Sequence, residues 1–104
     1  MTIEERRAEI DRIDSDLLRI LNRRAQVACE LAVLKRASGA SLCDPQRELQ
    51  VVERAQQSNR GPLTDPAVAR IFRAVIEESR RLERHLDRRL EEKIENKQEH
   101  THDR

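Results

Sequence analysis

The chain has 104 residues, of which 39% are charged and 37% hydrophobic, and its formal net charge is +1. With no basic surplus and a single aromatic residue, it lacks the cationic surface and the stacking platforms that are typical of nucleic-acid binding proteins. It also has no apolar run of about 18 residues that could cross a membrane, and its charged N-terminus is unlike a secretory signal, so we expect a cytoplasmic protein with reduced cysteines.

The first predicted helix runs from about residue 2 to Ser38 without proline or glycine, and Gly39 supplies its stop. At about 1.5 Å per residue this helix is about 55 Å long, whereas a compact domain of this size has a radius of gyration of about 13 Å. It is therefore too long for the globule that one chain can form, and its apolar stripe predicts pairing with a second chain. The stripe consists of Ile3, Ile10, Ile13, Leu17, Leu21, Ala28 and Leu31.

The second and third predicted helices each begin at an Asp-Pro pair, because aspartate can cap free N–H groups and proline fits the first helical position. The second follows Asp44 and runs to about Ser58, and residues 59–62 (NRGP) have the composition of a turn. The third follows Asp65 and runs to about residue 95 along another apolar stripe. The sequence thus predicts an all-α fold with three helices per chain.

These helices form one predicted domain, residues 1–95, with no internal repeat and no linker. Residues 96–104 are a polar tail that we expect to fray. His100 and His102 in this tail form a His-x-His pair, but too few further ligands lie nearby for a zinc site. We therefore expect no metal.

Polar residues interrupt the apolar stripes at a few positions. Steps of seven along the first helix lead from Ile3 to Arg24, and Lys35 lies only about 20° from Arg24 around the helix axis. In the third helix, Ser79 and Glu83 take the places of apolar residues in two such series. These four side chains are therefore expected to face inward, where an unpaired charge costs several kcal/mol.

Three explanations for the inward polar residues remain open. They can form a structural ion-pair network, fix the register of a helical pairing, or line a pocket for an anionic ligand. The start of the second helix favours the pocket, because Asp44, Arg47 and Glu48 cluster in its first turn, just after a short loop that leads back towards Lys35. Cations with carboxylates opposite them suit a small polyanionic molecule that carries a hydroxyl group.

Several short segments together resemble the all-α (type II) chorismate mutases over about residues 5 to 85. Each segment alone is a weak signal, and their order and spacing carry the resemblance. They are 10–14 (IDRID), 17–18 (LL), 21–24 (LNRR) and Lys35 in the first helix, 44–48 (DPQRE) at the entry to the second, and 59–63 (NRGPL), 71–73 (IFR) and 78–80 (ESR) in the region of the third.

The resemblance implies an intertwined six-helix homodimer with two equivalent, shared active sites. It implies the Claisen rearrangement of chorismate to prephenate, a step in phenylalanine and tyrosine biosynthesis, without a cofactor or covalent intermediate. Isochorismate pyruvate-lyases use the same scaffold, so the resemblance leaves this activity as an alternative. A non-catalytic dimerisation or regulatory module is a further alternative. Product detection separates the three, since the lyase would release salicylate and pyruvate from isochorismate.

The resemblance also implies roles for eight residues. Arg24 would clamp one substrate carboxylate, Arg7 of the partner chain would reach the other, and Lys35 would bind the ether oxygen and a carboxylate.

The other five residues lie in the second and third helices. Asp44 and Glu48 would receive the ring hydroxyl, and Arg47 would contribute positive potential. Ser79 would bind a carboxylate, and Glu83 would donate a hydrogen bond to the ether oxygen.

Glu83 stands where some members of this family have Gln and others Glu. A carboxyl group can donate a hydrogen bond only when it is protonated, and burial would raise its pKa while Lys35 would lower it. Five other cations of the third helix alternate with acidic residues, which is typical of a solvated face with pairs four residues apart. They are Arg80, Arg81, Arg84, Arg88 and Arg89.

Overall fold

The computed structural model describes the backbone of residues 1–102 and the side chains of residues 1–97. It contains three helices, α1 (Ile3–Ser38), α2 (Pro45–Ser58) and α3 (Asp65–His102). The described residues form no strand. The predicted all-α fold with one very long N-terminal helix is confirmed.

Both ends of α1 are fixed by local hydrogen bonds. The Thr2 side chain accepts a hydrogen bond from the backbone N–H of Glu5 at 3.0 Å, which satisfies one free donor of the first turn. At the other end Gly39 adopts φ 74°, a left-handed conformation that glycine reaches without steric cost. The chain can therefore leave α1 abruptly and turn towards α2.

The capping residue of α2 is the one predicted from the sequence, whereas the capping residue of α3 is a different one. The Asp44 carboxylate accepts a hydrogen bond from the backbone N–H of Arg47 at 3.1 Å, as expected of a cap. In α3 the capping oxygen belongs to Thr64, which accepts from the N–H of Ala67 at 3.2 Å. Asp65 is the first helical residue, and its carboxylate accepts from the Asn59 side chain at 2.8 Å, so it ties down the turn instead.

The helix α3 continues to His102, beyond its expected end near residue 95. The division into a domain of residues 1–95 and a frayed tail of residues 96–104 stays a prediction. The side chains of His100 and His102 lie outside the described residues.

The core of a single chain is small. α3 packs against both other helices, and a cluster of Val52, Ala69 and Ile76 forms the main buried contact between α2 and α3, with Val51 and Phe72 against it. The radius of gyration is 19.3 Å and the extents are 73 × 32 × 16 Å, well above the radius of about 13 Å for a compact chain of this length. One chain is therefore an extended arrangement of helices.

The apolar stripe of α1 is largely open to solvent in the single chain. Ile10, Ile13 and Leu17 remain 55%, 55% and 51% exposed. A contiguous stripe of exposed apolar side chains is typical of a protein–protein interface. None of the helices in the described part of the chain has an apolar stretch of the length and low charge needed to cross a bilayer.

We expect the exposed stripe of α1 to hold two copies of the chain together. Light scattering at micromolar concentration should give about twice the chain mass of 12.2 kDa. Leu17→Glu should shift the mass towards one chain, because it places a charge in the middle of the apolar face.

Ser15→Glu is the matched control, since Ser15 lies on the opposite side of α1 and is exposed. This variant should keep the mass of the unmodified protein. A well-folded single chain at micromolar concentration would contradict the dimer.

Candidate functional site

A cavity of about 270 Å³ lies where α1, the start of α2 and the middle of α3 meet. Apolar side chains from all three helices form part of its wall, among them Leu31, Val51 and Ile76. The structure brings seven of the eight predicted site residues to this cavity, while their roles remain predictions. The seven are Arg24, Lys35, Asp44, Arg47, Glu48, Ser79 and Glu83.

Arg24 and Ser79 line the cavity and join α1 to α3. The guanidinium Nη1 of Arg24 donates to the Ser79 hydroxyl at 2.9 Å, and both side chains are half-buried. Ser79 thus contacts a cation across the helix interface. A guanidinium has five N–H donors, so Arg24 retains donors for a ligand after this bond is made.

Lys35 faces the cavity from the last turn of α1. Its Nζ donates to the backbone carbonyl of Leu42 at 3.4 Å, in the loop that leads to α2. Among the described residues no ion pair within 4.0 Å includes Lys35. The ammonium group is held near the loop without being neutralised by a direct carboxylate contact.

Asp44 has two structural roles. It caps α2 through the backbone N–H of Arg47, and it also lines the cavity. The Arg47 side chain lines the same cavity, although the residue is mostly exposed. The cap therefore fixes the first turn of α2, the turn that also carries Glu48, against the cavity.

Glu48 is bound by Arg80, a residue that is predicted from the sequence to lie on a solvated face. Nε and Nη2 of Arg80 donate to the two carboxylate oxygens of Glu48, and Arg80 also lines the cavity. The solvated-face prediction is therefore wrong for Arg80. Its spacing of four residues from Ile76 was the available signal, because Ile76 is buried and residues four apart share a face of a helix.

The two glutamates of the cavity have opposite pKa shifts. The hydrogen bonds from Arg80 hold the pKa of Glu48 below its ordinary value, against the opposing effect of burial. Burial raises the pKa of Glu83, and the nearby cations Lys35, Arg24 and Arg80 only partly oppose it. In the single chain, burial outweighs these cations in setting the direction of the Glu83 shift.

Arg7 does not reach this cavity in its own chain. It is exposed on α1, seventeen residues before Arg24, which corresponds to about 25 Å along a helix. A contact between Arg7 and the cavity of a partner chain stays a prediction.

The cavity offers cations, carboxylates and a hydroxyl in a half-buried space. Guanidinium and ammonium groups bind carboxylates by charge-assisted hydrogen bonds, while an ionised carboxylate such as Glu48 accepts from a hydroxyl. The described residues include no group of three or more His, Cys, Asp or Glu side chains arranged to hold a metal ion. The cations and the carboxylates that line the cavity suit a small organic acid with at least one carboxylate and one hydroxyl.

Comparison with known proteins gives a consistent family assignment. Residues 6–84 match the family described as chorismate mutase type II. A bifunctional chorismate mutase/prephenate dehydratase of Neisseria gonorrhoeae is 47% identical over 78 residues, which cover 75% of this chain and 21% of that protein. An intracellular chorismate mutase of Mycobacterium tuberculosis is 38% identical over 52 residues, half of each chain.

A solved structure shows a similar fold. The chorismate mutase of Helicobacter pylori, crystallised in complex with prephenate, has a TM-score of 0.76 and 26% identity, and the similarity covers 83% of this chain and 93% of that one. The present chain spans about a fifth of the length of the bifunctional Neisseria protein.

Proposed function

The chain belongs to the chorismate mutase type II family, and on that premise we propose that it catalyses the rearrangement of chorismate to prephenate. This reaction would serve phenylalanine and tyrosine biosynthesis. The observation that carries the proposal is the convergence of Arg24, Lys35 and Glu83 on one half-buried cavity. Chorismate has two carboxylates, an enolpyruvyl ether and a ring hydroxyl, and the cavity has a counterpart for each kind of group.

The rearrangement is unimolecular, so the protein needs to supply neither a nucleophile nor a redox group. It can accelerate the reaction by holding the folded conformer in which the two reacting carbon atoms are close. It can also stabilise the negative charge that develops on the ether oxygen as the C–O bond breaks. Both effects depend on donors that are fixed before the substrate arrives.

Arg24 and Lys35 are the proposed principal donors. The hydrogen bond from Arg24 to Ser79 fixes the guanidinium against α3. The Arg24 guanidinium and the Ser79 hydroxyl together would bind one substrate carboxylate. Lys35 would donate to the ether oxygen and to a carboxylate. Its contact with the Leu42 carbonyl leaves other N–H groups of the ammonium for the substrate.

The start of α2 would bind the other side of the ring. Asp44 and Glu48 would accept from the ring hydroxyl, and Arg47 would add positive potential at the cavity. Glu83 would donate to the ether oxygen in its protonated form, a role that the raised pKa of this carboxyl supports.

We also propose a cytoplasmic homodimer with shared active sites. The open apolar face of α1 supports pairing, and the distance of Arg7 from its own cavity supports its use in the partner's cavity. The free thiols of Cys29 and Cys43 suit a reducing compartment. The name of the mycobacterial relative is consistent with this location.

Incubation of the purified protein with chorismate should yield prephenate. Arg24→Ala should lower kcat/KM by about 10²–10³, since it removes a donor that binds the substrate in the transition state. Arg19→Ala is the control, because Arg19 is an exposed cation of the same helix that pairs with Asp16. Salicylate and pyruvate from isochorismate without prephenate formation, or no turnover at all, would contradict the proposal.

The shared site predicts complementation between two inactive variants. Arg7→Ala and Arg24→Ala should each be impaired as homodimers, because each lacks one clamp in both sites. Refolding the two together should restore up to about a quarter of the wild-type activity, because half of the dimers are mixed and each has one intact site. Mixed dimers that are demonstrably formed but show no recovered activity would contradict a contribution of Arg7 across the interface.

The proposed donor role of Glu83 predicts a specific pH dependence. The pKa of this carboxyl is raised by burial, so kcat should fall as pH rises through its value in the substrate complex, where the donating proton is lost. Glu83→Gln should keep activity and lose most of this alkaline decline, since the amide retains an N–H donor at every pH. Glu83→Ala should be severely impaired throughout.

The measurement is a pH–rate profile under saturating chorismate for wild type and Glu83→Gln. Glu53→Gln, an exposed position of α2, controls for the change in net charge and should follow the wild-type profile. Superimposable alkaline limbs for wild type and Glu83→Gln, or a Gln variant without activity at any pH, would exclude the donor role.

A further inference from the structure

We propose that Arg80 is a positioning residue that orients the Glu48 carboxylate for the substrate hydroxyl and keeps it away from Lys35. This inference rests on the proposed function and assigns a role to a residue outside the set predicted from the sequence. Its basis is the contact between α3 and α2 at the edge of the cavity.

The contact has a defined geometry. Arg80 donates from Nε and Nη2 to the two oxygens of Glu48, so the guanidinium and the carboxylate meet as two parallel hydrogen bonds. The third nitrogen, Nη1, donates to Glu77 at 3.2 Å, one turn earlier in α3. The guanidinium is thus held from both sides, and a bidentate pair of this kind fixes the plane of the carboxylate as well as its position.

The bidentate contact leaves Glu48 able to bind a ligand. An ionised carboxylate has about four lone-pair positions, and Arg80 occupies one on each oxygen. The remaining positions can accept from a hydroxyl group in the cavity that both residues line. The pair also favours the ionised form, which is the form that accepts hydrogen bonds.

The contact also affects Lys35. Glu48 and Lys35 line the same cavity and attract one another electrostatically. A direct pair between them would neutralise the ammonium group that is proposed to bind the ether oxygen. The two bonds from Arg80 fix the position and plane of the Glu48 carboxylate, and in this position it forms no ion pair with Lys35 within 4.0 Å among the described residues. Lys35 contacts the Leu42 carbonyl instead. Arg80 thereby preserves the positive charge of the cavity.

A double-mutant cycle tests whether Arg80 acts through Glu48. The variants are Arg80→Met, Glu48→Gln and their combination, and the readouts are kcat and KM for chorismate. Arg84→Met is the matched control, because Arg84 is a cation of the same helix that pairs with Glu77 at 3.6 Å and lies outside the cavity. Arg80→Lys keeps the charge but loses the planar fork.

Arg80→Met should lower kcat/KM by about tenfold in the wild-type background and by less than about twofold in the Glu48→Gln background, since its effect requires the carboxylate. Most of the loss should appear as a higher KM, because the ring hydroxyl is bound in the ground state and the transition state alike. Arg80→Lys should fall between wild type and Arg80→Met, and Arg84→Met should match wild type.

The possible contrary results separate the two proposals. An equal loss in both backgrounds would mean that Arg80 acts on the substrate directly, and full activity of Arg80→Met would remove any role; either result overturns this inference alone. If Arg80→Met fails to fold, the same cycle with Arg80→Lys decides the question by the same criterion. A wild-type protein that does not convert chorismate would instead overturn the proposed function.

Discussion

The cavity depends on two cations that one helix carries on the same side. Arg24 and Lys35 are eleven residues apart in α1, so they lie at nearly the same angle around the helix axis. Half-buried cations repel one another and lose hydration, so in a purely structural role such cations are usually paired with carboxylates. In this chain Glu48 is bound by Arg80 and Asp44 caps α2, and no ion pair within 4.0 Å among the described residues includes Arg24 or Lys35. The positive charge of the cavity therefore remains available to the anionic substrate of the proposed function.

A small buried core goes with the extended shape of the chain. Only a few residues around Val52, Ala69 and Ile76 are buried in one chain, while the apolar stripe of α1 faces solvent. A second copy on that stripe would bury the apolar surface and, through Arg7, supply the second carboxylate clamp. Under the proposed assembly, folding and site formation are therefore one event, and loss of the interface removes both.

The sequence predicts most of this structure because helical periodicity is regular. Steps of seven residues along α1 and α3 were sufficient to identify Arg24, Ser79 and Glu83 as inward-facing, and the structure places all three at the cavity. Contacts between helices are less predictable, since they depend on how the helices cross. The pair between Arg80 and Glu48 joins residues 32 positions apart, so helical spacing can place Arg80 on the inward face but cannot identify Glu48 as its partner. Likewise, Thr64 and Asp65 are both good capping residues, and only the backbone decides that Thr64 accepts the bond.

The two cavity glutamates lie in different electrostatic environments within the same site. Glu48 receives two hydrogen bonds from a guanidinium, which favour its ionised form and leave lone pairs as acceptors. Glu83 is more deeply placed and has no such partner among the described residues; burial raises its pKa and favours the form that has a proton to give. Under the proposed function, these opposite shifts suit Glu48 as the acceptor and Glu83 as the donor. For chorismate these two roles fit the ring hydroxyl, which needs an acceptor, and the ether oxygen, which needs a donor as its bond to carbon breaks.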